Sequence, residues 1–378
     1  MKLVCAGCNH TESRADAYKC TKCGYILEVR YDDIASFVPR LGADMWSFGQ
    51  VMPFADTGPV SLGEGMTPFI AAPRLADSLG HPGLYLKNEC QSPTGSFKDR
   101  ALSVCVTAAR ELGKKGIVVA SSGNGAASAA AYAARAGMEM DVLVPESTPD
   151  AKVTQARMCG ARVTKIPGLF TACYNRAQEM AGEGYYNVTT TFLNPYSMEG
   201  YKTIGFEIFL QLGQVPDWVI MPVGAGTILG GVYKAFRELE ASGKADGIPR
   251  LVAVQALHCS PIVAAYAAGE RVRAPDQVKP TIASALADPL VGYEEDGDYT
   301  IDCIRKSSGC ALALDESEIL GGAKLLAELE GVYAEPGGAV CVSAARQLIQ
   351  GGKISPSDKV VLVVTGHGLK FDYSAYLE

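Results

Sequence analysis

The feature that most constrains the fold of this chain is an alternation of short β-branched runs with helical segments from about residue 85 onward. Residues 116–120 (GIVVA) predict a strand, and the Ala-rich stretch 126–137 predicts a helix that ends at Gly137. Further strands are predicted at 141–144, 162–166, 186–188, 218–222, 251–255 and 360–364. Strands that alternate with helices form βαβ units and a mainly parallel sheet covered on both faces, so the predicted fold class is α/β.

Length and composition limit the classes of partner. The 378 residues suffice for two domains, or for two subdomains and a small appendage. A net charge of -7 argues against sequence-independent electrostatic binding to nucleic acid or to anionic lipid. The first residues show no secretory pattern, and no apolar run reaches the length of a membrane span. We therefore expect a cytoplasmic protein without nucleic-acid or membrane partners.

The first 31 residues contain two cysteine pairs. Cys5 and Cys8 form one CxxC motif, and Cys20 and Cys23 form another after eleven intervening residues. Two such pairs are typical of a structural zinc site in which protein supplies all four ligands. Free or redox-active thiols are the alternative. Residues 1–31 are predicted to form a zinc-ribbon-like segment, and the eight other cysteines are expected to be free thiols in a reducing compartment.

One loop, residues 92–100, places a lysine at the start of a helix. Ser96 fits the N-cap position, so Lys98 lies in the first helical turn. The helix dipole and burial both lower the pKa of an amine there and favour the neutral nucleophile that imine formation requires. A solvated surface lysine is the alternative on position alone.

A second loop, Ser121, Ser122, Gly123 and Asn124, lies between a predicted strand and the Ala-rich helix. Small residues before a helix N-terminus let backbone N–H groups approach an anion such as a substrate carboxylate. The Asn124 amide can donate to a phenolate oxygen. A plain strand-to-helix turn with an asparagine cap is the alternative.

Two later loops also follow predicted strands. Gly224, Ala225, Gly226 and Thr227 precede a helix and could cradle a phosphate, but their spacing does not match the dinucleotide-binding fingerprint. Thr365, at the end of the last strand, could donate a hydrogen bond to a heterocycle nitrogen. A glycine-rich turn and a polar strand terminus are the respective alternatives.

Together these loops resemble those of the fold type II pyridoxal-phosphate enzymes, and most of all the threonine synthase family. The matching motifs are GEGMTP (63–68), PTGSFKDR (93–100), SGN (122–124), EGYKT (199–203) and TGHGLK (365–370). The resemblance implies a large subdomain (32–100 and 204–378) and a small mobile subdomain (101–203), with the cofactor between them. It implies that Lys98 holds pyridoxal 5'-phosphate as an imine and shuttles protons, and that Asn124 contacts the cofactor. It also implies that residues 224–227 bind the cofactor phosphate, that Thr365 binds the pyridine nitrogen, and that the protein is a homodimer.

The chain departs from the family pattern near the substrate. Ser197 stands where the family has an arginine for the substrate phosphate, and Phe192 stands where it has a polar residue. Lys152 still matches a lysine of that pocket. The resemblance implies a biosynthetic lyase that converts O-phosphohomoserine and water to threonine and phosphate. The altered phosphate pocket favours the alternative, which is β-elimination or β-replacement on serine, threonine, phosphoserine or a related amino acid. A non-catalytic, partner-binding protein is a weaker alternative, because the lysine and asparagine loops are intact.

Overall fold

The structure, a computed structural model, describes residues 1–168 and 170–376. Its strands are β1 (Lys2–Cys5), β2 (Thr11–Glu12), β3 (Leu27–Arg30), β4 (Phe69–Ala71), β5 (Leu84–Asn88), β6 (Gly116–Ala120), β7 (Glu139–Pro145), β8 (Arg162–Ile166), β9 (Tyr185–Asn187), β10 (Trp218–Pro222), β11 (Arg250–Ala256), β12 (Cys310–Leu314) and β13 (Val360–Val364). Its α-helices are α1 (Pro73–Leu79), α2 (Lys98–Glu111), α3 (Asn124–Ala136), α4 (Asp150–Met158), α5 (Phe170–Gly182), α6 (Ser197–Leu212), α7 (Thr227–Ala241), α8 (Pro261–Ala268), α9 (Glu295–Lys306), α10 (Glu316–Glu330) and α11 (Pro336–Gln350).

The described residues divide into two compact units. Unit 1 is drawn from Met1–Met66 and Lys98–Ile204, and unit 2 from Thr67–Phe97 and Gly205–Glu378. The division into a ribbon, a large subdomain and a small mobile subdomain stays a prediction.

Unit 1 contains a parallel four-stranded sheet in the order β8-β7-β6-β9. All five residues of β6 are buried, which suits a central strand that is covered on both faces. The Ala-rich α3 follows β6, and Gly137 ends this helix with a φ of 67° that glycine adopts without steric cost. The helix predicted at 126–137 is thereby confirmed.

Unit 1 also contains the N-terminal ribbon, residues 1–31. Its short antiparallel sheet has the order β2-β1-β3, and Leu3 pairs with Val29. Ile26, Leu27 and Val29 are fully buried. A segment this short buries too little apolar surface to fold by itself, so its stability depends on the rest of unit 1 and on cross-links within the ribbon.

Unit 2 contains a six-stranded sheet in the order β12-β11-β10-β13-β5-β4, parallel except for the edge strand β4. The three strands β10, β11 and β13 are buried almost throughout, and α11 packs on them with residues such as Val340 and Ala344. These continuous apolar strands reflect a sheet with helices on both faces.

The predicted α/β fold class is confirmed, and the strands at 116–120, 162–166, 218–222 and 360–364 have the predicted bounds. The other predicted parallel strands differ by one or two residues at their ends. Among the described residues, no helix combines the length and the apolar character that crossing a membrane requires.

Candidate active site

Lys98 lies in the first turn of α2, as predicted, and is the first residue of this helix; its side chain is half-buried. Its Nζ atom donates a hydrogen bond to the Thr190 hydroxyl at 2.8 Å. The same Nζ lies 5.8 Å from the centre of the Tyr201 ring. The hydroxyl of Thr190 and the ring face of Tyr201 give the Lys98 amine a defined direction, which suits a lysine that must react as a nucleophile.

Thr190 is a site residue that sequence reasoning missed as a partner of Lys98. It lies in a turn after β9, where the Thr189 hydroxyl accepts a hydrogen bond from the Ala120 N–H at 3.1 Å. The Asn187 side chain accepts from the Thr189 N–H at 2.9 Å. The signal in the sequence was the run of three threonines between a strand and a helix.

The Asn124 loop lies beside Thr190. Asn124 begins α3, and Ser121 is part of the turn after β6. A Cβ atom built on Gly125 would lie 3.0 Å from the Ser121 hydroxyl and 3.6 Å from the Thr190 hydroxyl. The structure therefore brings Lys98, its threonine partner and the loop 121–124 together at the carboxyl edge of the four-stranded sheet.

The loop 121–124 can accept an anion. Ser121, Ser122 and Asn124 are half-buried and Gly123 is exposed, so a ligand can reach all four residues. The N-terminus of the 13-residue helix α3 adds the partial positive charge of its first N–H groups.

Lys152 lies in the first turn of α4 and is exposed. α4 follows β7, which pairs in parallel with β6. Lys152 thus projects from the same edge of the sheet as the loop 121–124, where a second anionic group of a substrate could be held.

In unit 2, residues 224–227 connect β10 to α7 in a turn that only glycine permits. Gly226 has a φ of 103°, and a Cβ atom there would overlap the side chain of Thr300. The Thr300 hydroxyl donates to the Ala225 carbonyl at 3.0 Å, and Gln255 donates to the Gly224 carbonyl at 3.3 Å. These bonds fix the turn, and α7, which begins at Thr227, directs the positive end of its helix dipole to this position, which suits a phosphate.

Thr365 directly follows β13, the neighbour of β10 in the six-stranded sheet. Its N–H donates to the Gly338 carbonyl at 3.3 Å, and its carbonyl accepts from the Phe97 N–H at 3.0 Å. A Cβ atom on Gly366 would overlap Glu335. The main chain at Thr365 is therefore fixed by close packing, at the same carboxyl edge of the sheet as residues 224–227.

The two residues that depart from the family pattern are buried. Ser197 and Phe192 both have 0% exposure, and the Ser197 hydroxyl lies 3.5 Å from the Cys105 sulfur. Both side chains fill the interior of unit 1 and do not face solvent. Ser197, at the position where the resemblance leads us to expect an arginine, therefore belongs to the interior of unit 1, and Lys152 is the exposed cation of this edge that the sequence singled out.

The four ribbon cysteines lie together. Their sulfur atoms are all within 4.8 Å of one another, with Cys5–Cys23 at 3.4 Å and Cys8–Cys20 at 3.7 Å. A tetrahedral zinc with Zn–S bonds of about 2.3 Å requires sulfur separations of about 3.8 Å, so the donor set fits this metal. Hydrogen bonding to the backbone of His10 lowers the pKa of Cys8 to about 7, whereas the pKa values of Cys20 and Cys23 are raised, so Cys8 is the most acidic of these three thiols.

Comparison with known proteins identifies the class. The family model of the pyridoxal-phosphate dependent enzymes matches residues 60–366, and the chain belongs to this family. The chain is 37% identical to the threonine synthase of Methanosarcina acetivorans over 97% of its own length and 92% of that relative. It is 36% identical to the threonine synthase of Methanocaldococcus jannaschii over the same shares. The threonine synthase of Mycobacterium leprae is 38% identical over 83% of this chain and 84% of its own.

Solved structures support the fold. Maize serine racemase has a TM-score of 0.71 at 24% identity and covers 82% of this chain and 89% of its own. A threonine deaminase from Solanum lycopersicum has a TM-score of 0.69 at 25% identity and covers 82% and 80%. These likenesses show the fold type II architecture, so the predicted fold is confirmed.

Proposed function

We propose that the protein is a lyase that converts O-phosphohomoserine and water to threonine and phosphate. The observation that carries this proposal is the similarity to threonine synthases, which at 37% identity extends over almost the whole of both chains. The geometry at the edge of the four-stranded sheet supports it, because a nucleophilic lysine and two anion-accepting positions occur there together.

Pyridoxal phosphate, when bound, supplies an aldehyde that amines bind covalently and a ring that withdraws electrons from the substrate. Lys98 would hold this group covalently, and its amine would take and return protons at the substrate carbons. Residues 224–227 would hold its phosphate with backbone N–H groups. The Asn124 amide would bind its phenolate oxygen, and the Thr365 hydroxyl its ring nitrogen.

The substrate carboxylate and phosphate would take two further positions. The backbone and hydroxyls of Ser121, Ser122 and Gly123 suit the carboxylate, since the α3 N-terminus favours a negative charge there. Lys152 suits the substrate phosphate as a point charge. Two separate anion sites fit a substrate that carries an acidic group at each end.

The test is product analysis. We expect purified enzyme with pyridoxal phosphate to release phosphate and threonine from O-phosphohomoserine in equal amounts. Ammonia and a 2-oxo acid from serine, threonine or O-phosphoserine, with O-phosphohomoserine inert, would replace this proposal with β-elimination. Lys152→Ala should raise KM for O-phosphohomoserine more than kcat falls. Lys115→Ala, an exposed lysine just before β6 at the opposite end of the sheet, is the matched control.

We also propose that Cys5, Cys8, Cys20 and Cys23 hold one structural zinc ion. Metal analysis should find one zinc per chain, and Cys8→Ser should lower this content. An equal zinc content in Cys8→Ser and in wild type would reject the site.

We further propose that the protein is a cytoplasmic homodimer, that its substrate is a small amino acid, and that it has no nucleic-acid or membrane partners. Sedimentation of the purified protein at several concentrations tests the dimer.

A further inference from the structure

Three tyrosine hydroxyls join the ribbon (1–31) to one segment of unit 1, residues 187–202. The Asn187 N–H donates to the Tyr18 hydroxyl at 2.7 Å. The Tyr196 hydroxyl donates to the Ala15 carbonyl at 2.8 Å. Tyr31 is the last residue of the ribbon, and its hydroxyl donates to the carboxylate of Glu199 in α6 at 2.7 Å. The ribbon therefore holds this segment near its start, middle and end.

Ring contacts strengthen two of these connections. The Tyr18 ring lies 5.5 Å from the ring of Tyr186, the neighbour of Asn187 in β9. The Lys202 amine lies 4.3 Å from the centre of the Tyr31 ring and forms a buried ion pair with Glu199 at 2.7 Å. If the Tyr31 ring moves away from Lys202, the cation–π interaction is lost and the buried ion pair is disturbed. Both changes are energetically unfavourable.

The segment 187–202 is also the segment that orients Lys98. Thr190 accepts the hydrogen bond of the Lys98 amine, and Tyr201 presents its ring to the same amine. Asn187 is the intermediate residue, because its backbone N–H reaches Tyr18 while its side chain holds the turn at Thr189. Two hydrogen bonds and a short run of chain therefore connect a ribbon hydroxyl to the threonine that holds Lys98.

We propose that the ribbon is a positioning element for the reaction at Lys98, and that Tyr18 is its main positioning residue. The four cysteine sulfurs, held together by a metal, keep the ribbon in the shape that delivers Tyr18 and Tyr31 to the segment 187–202. This inference rests on the proposed role of Lys98 as the cofactor-binding residue. It adds a function for the ribbon beyond its own stability.

The variants delete single hydroxyls. Tyr18→Phe removes the acceptor of the Asn187 N–H and keeps the ring against Tyr186. Tyr31→Phe removes the bond to Glu199 and keeps the ring under Lys202. Tyr185→Phe is the matched control, because Tyr185 also belongs to β9 but its hydroxyl contacts Glu139 of β7 and Arg162 of β8, which are outside the ribbon and outside the segment 187–202.

Two measurements report on positioning. Hydrogen exchange of cofactor-free protein measures the order of residues 187–203 without any activity. The pH dependence of the visible absorption band of the enzyme with bound pyridoxal phosphate measures the environment of the Lys98 nitrogen, and kcat and KM are determined alongside.

We expect Tyr18→Phe to raise exchange in 187–203, to shift the pH midpoint of the absorption band, and to lower kcat about fivefold, the effect of one neutral hydrogen bond. Tyr31→Phe should change the same three quantities less, and Tyr185→Phe should leave the midpoint as in wild type. Removal of the metal by a chelator should raise exchange in the same residues.

The proposal is overturned if Tyr18→Phe shows the same hydrogen exchange as wild type and the same pH midpoint of the absorption band. It is also overturned if Tyr185→Phe shifts this midpoint as much as Tyr18→Phe does. A failure of the proposed function looks different. In that case, wild-type protein shows no absorption band that depends on Lys98, whatever happens to the exchange of residues 187–203.

Discussion

The loops at the carboxyl edges of the two parallel sheets are built on different principles. In unit 1 the loops present side chains, since the Lys98 amine is directed by the Thr190 hydroxyl. In unit 2 close packing fixes the main chain of the loops, since Gly226 lies against Thr300 and the backbone of Thr365 is hydrogen-bonded on both sides. The comparison indicates that the reactive side chain belongs to unit 1, whereas the loops of unit 2 depend mainly on the conformation of their main chain. Substitutions should therefore have different consequences in the two regions.

The largest effect is expected at the reactive side chain. Lys98→Ala should abolish the visible band of bound cofactor and lower kcat/KM about 10³-fold or more, because general acid–base catalysis alone contributes about 10²–10⁴-fold. The unfolding midpoint should stay close to wild type, since Lys98 is half-buried and does not belong to the buried core. Absorbance and thermal unfolding check this. A retained band would assign the cofactor to another lysine.

The next effect is expected at the main-chain turn, where stability should fall. Gly226→Ala should lower the free energy of unfolding by about 2–5 kcal/mol, from overlap with Thr300 and from the positive φ of 103°. Gly224→Ala is the control, because its Cβ would meet Asp288 at an ordinary 3.5 Å. Denaturant unfolding of both variants distinguishes the positions. Equal losses would mean that the turn does not depend on glycine at 226.

A smaller effect is expected where a side chain only directs another. Thr190→Val removes the acceptor of the Lys98 amine but keeps the volume, and should lower kcat about tenfold. Thr164→Val is the matched control, because it makes the same substitution at an exposed position of the edge strand β8 without this contact. Steady-state kinetics of the two variants would contradict the assignment if their kcat values agreed.

The smallest effect is expected where the ribbon contacts Lys114, just after α2. Hydrogen bonds from Arg14 and Lys114 lower the pKa of Asp16 to about 2. The unfolded pKa is about 3.9, so the stabilisation is complete above this value and is lost as pH falls toward 2. Asp16→Asn should cost less than about 1 kcal/mol at pH 6, because the pair is partly exposed.

Unfolding of wild type and Asp16→Asn at pH 6 and pH 3 checks this expectation. The difference between the two proteins should shrink at the lower pH and in high salt. Asp33→Asn, an exposed aspartate just after the ribbon, is the control. A difference that grows as pH falls would reverse the assigned sign.

Much of the architecture could be predicted because it is encoded locally. A strand such as 116–120 or a helix stop such as Gly137 depends on neighbouring residues, whose periodicity and turn preferences are visible in the sequence. The start of α2 at Lys98, the loop 121–124 and the cysteine pairs could be found for the same reason. Each is a short motif whose chemistry depends on spacing along the chain.

Tertiary structure alone decided which distant residues meet. The sheet order β8-β7-β6-β9 places the last strand beside β6, and this pairing brings Thr190 to Lys98 across 92 residues of sequence. The same pairing lets a ribbon tyrosine reach Asn187, 169 residues away. Strand order depends on the packing of whole faces, which no local pattern of residues specifies. The sequence determined the reactive groups of this protein, and the sheet order determined their partners.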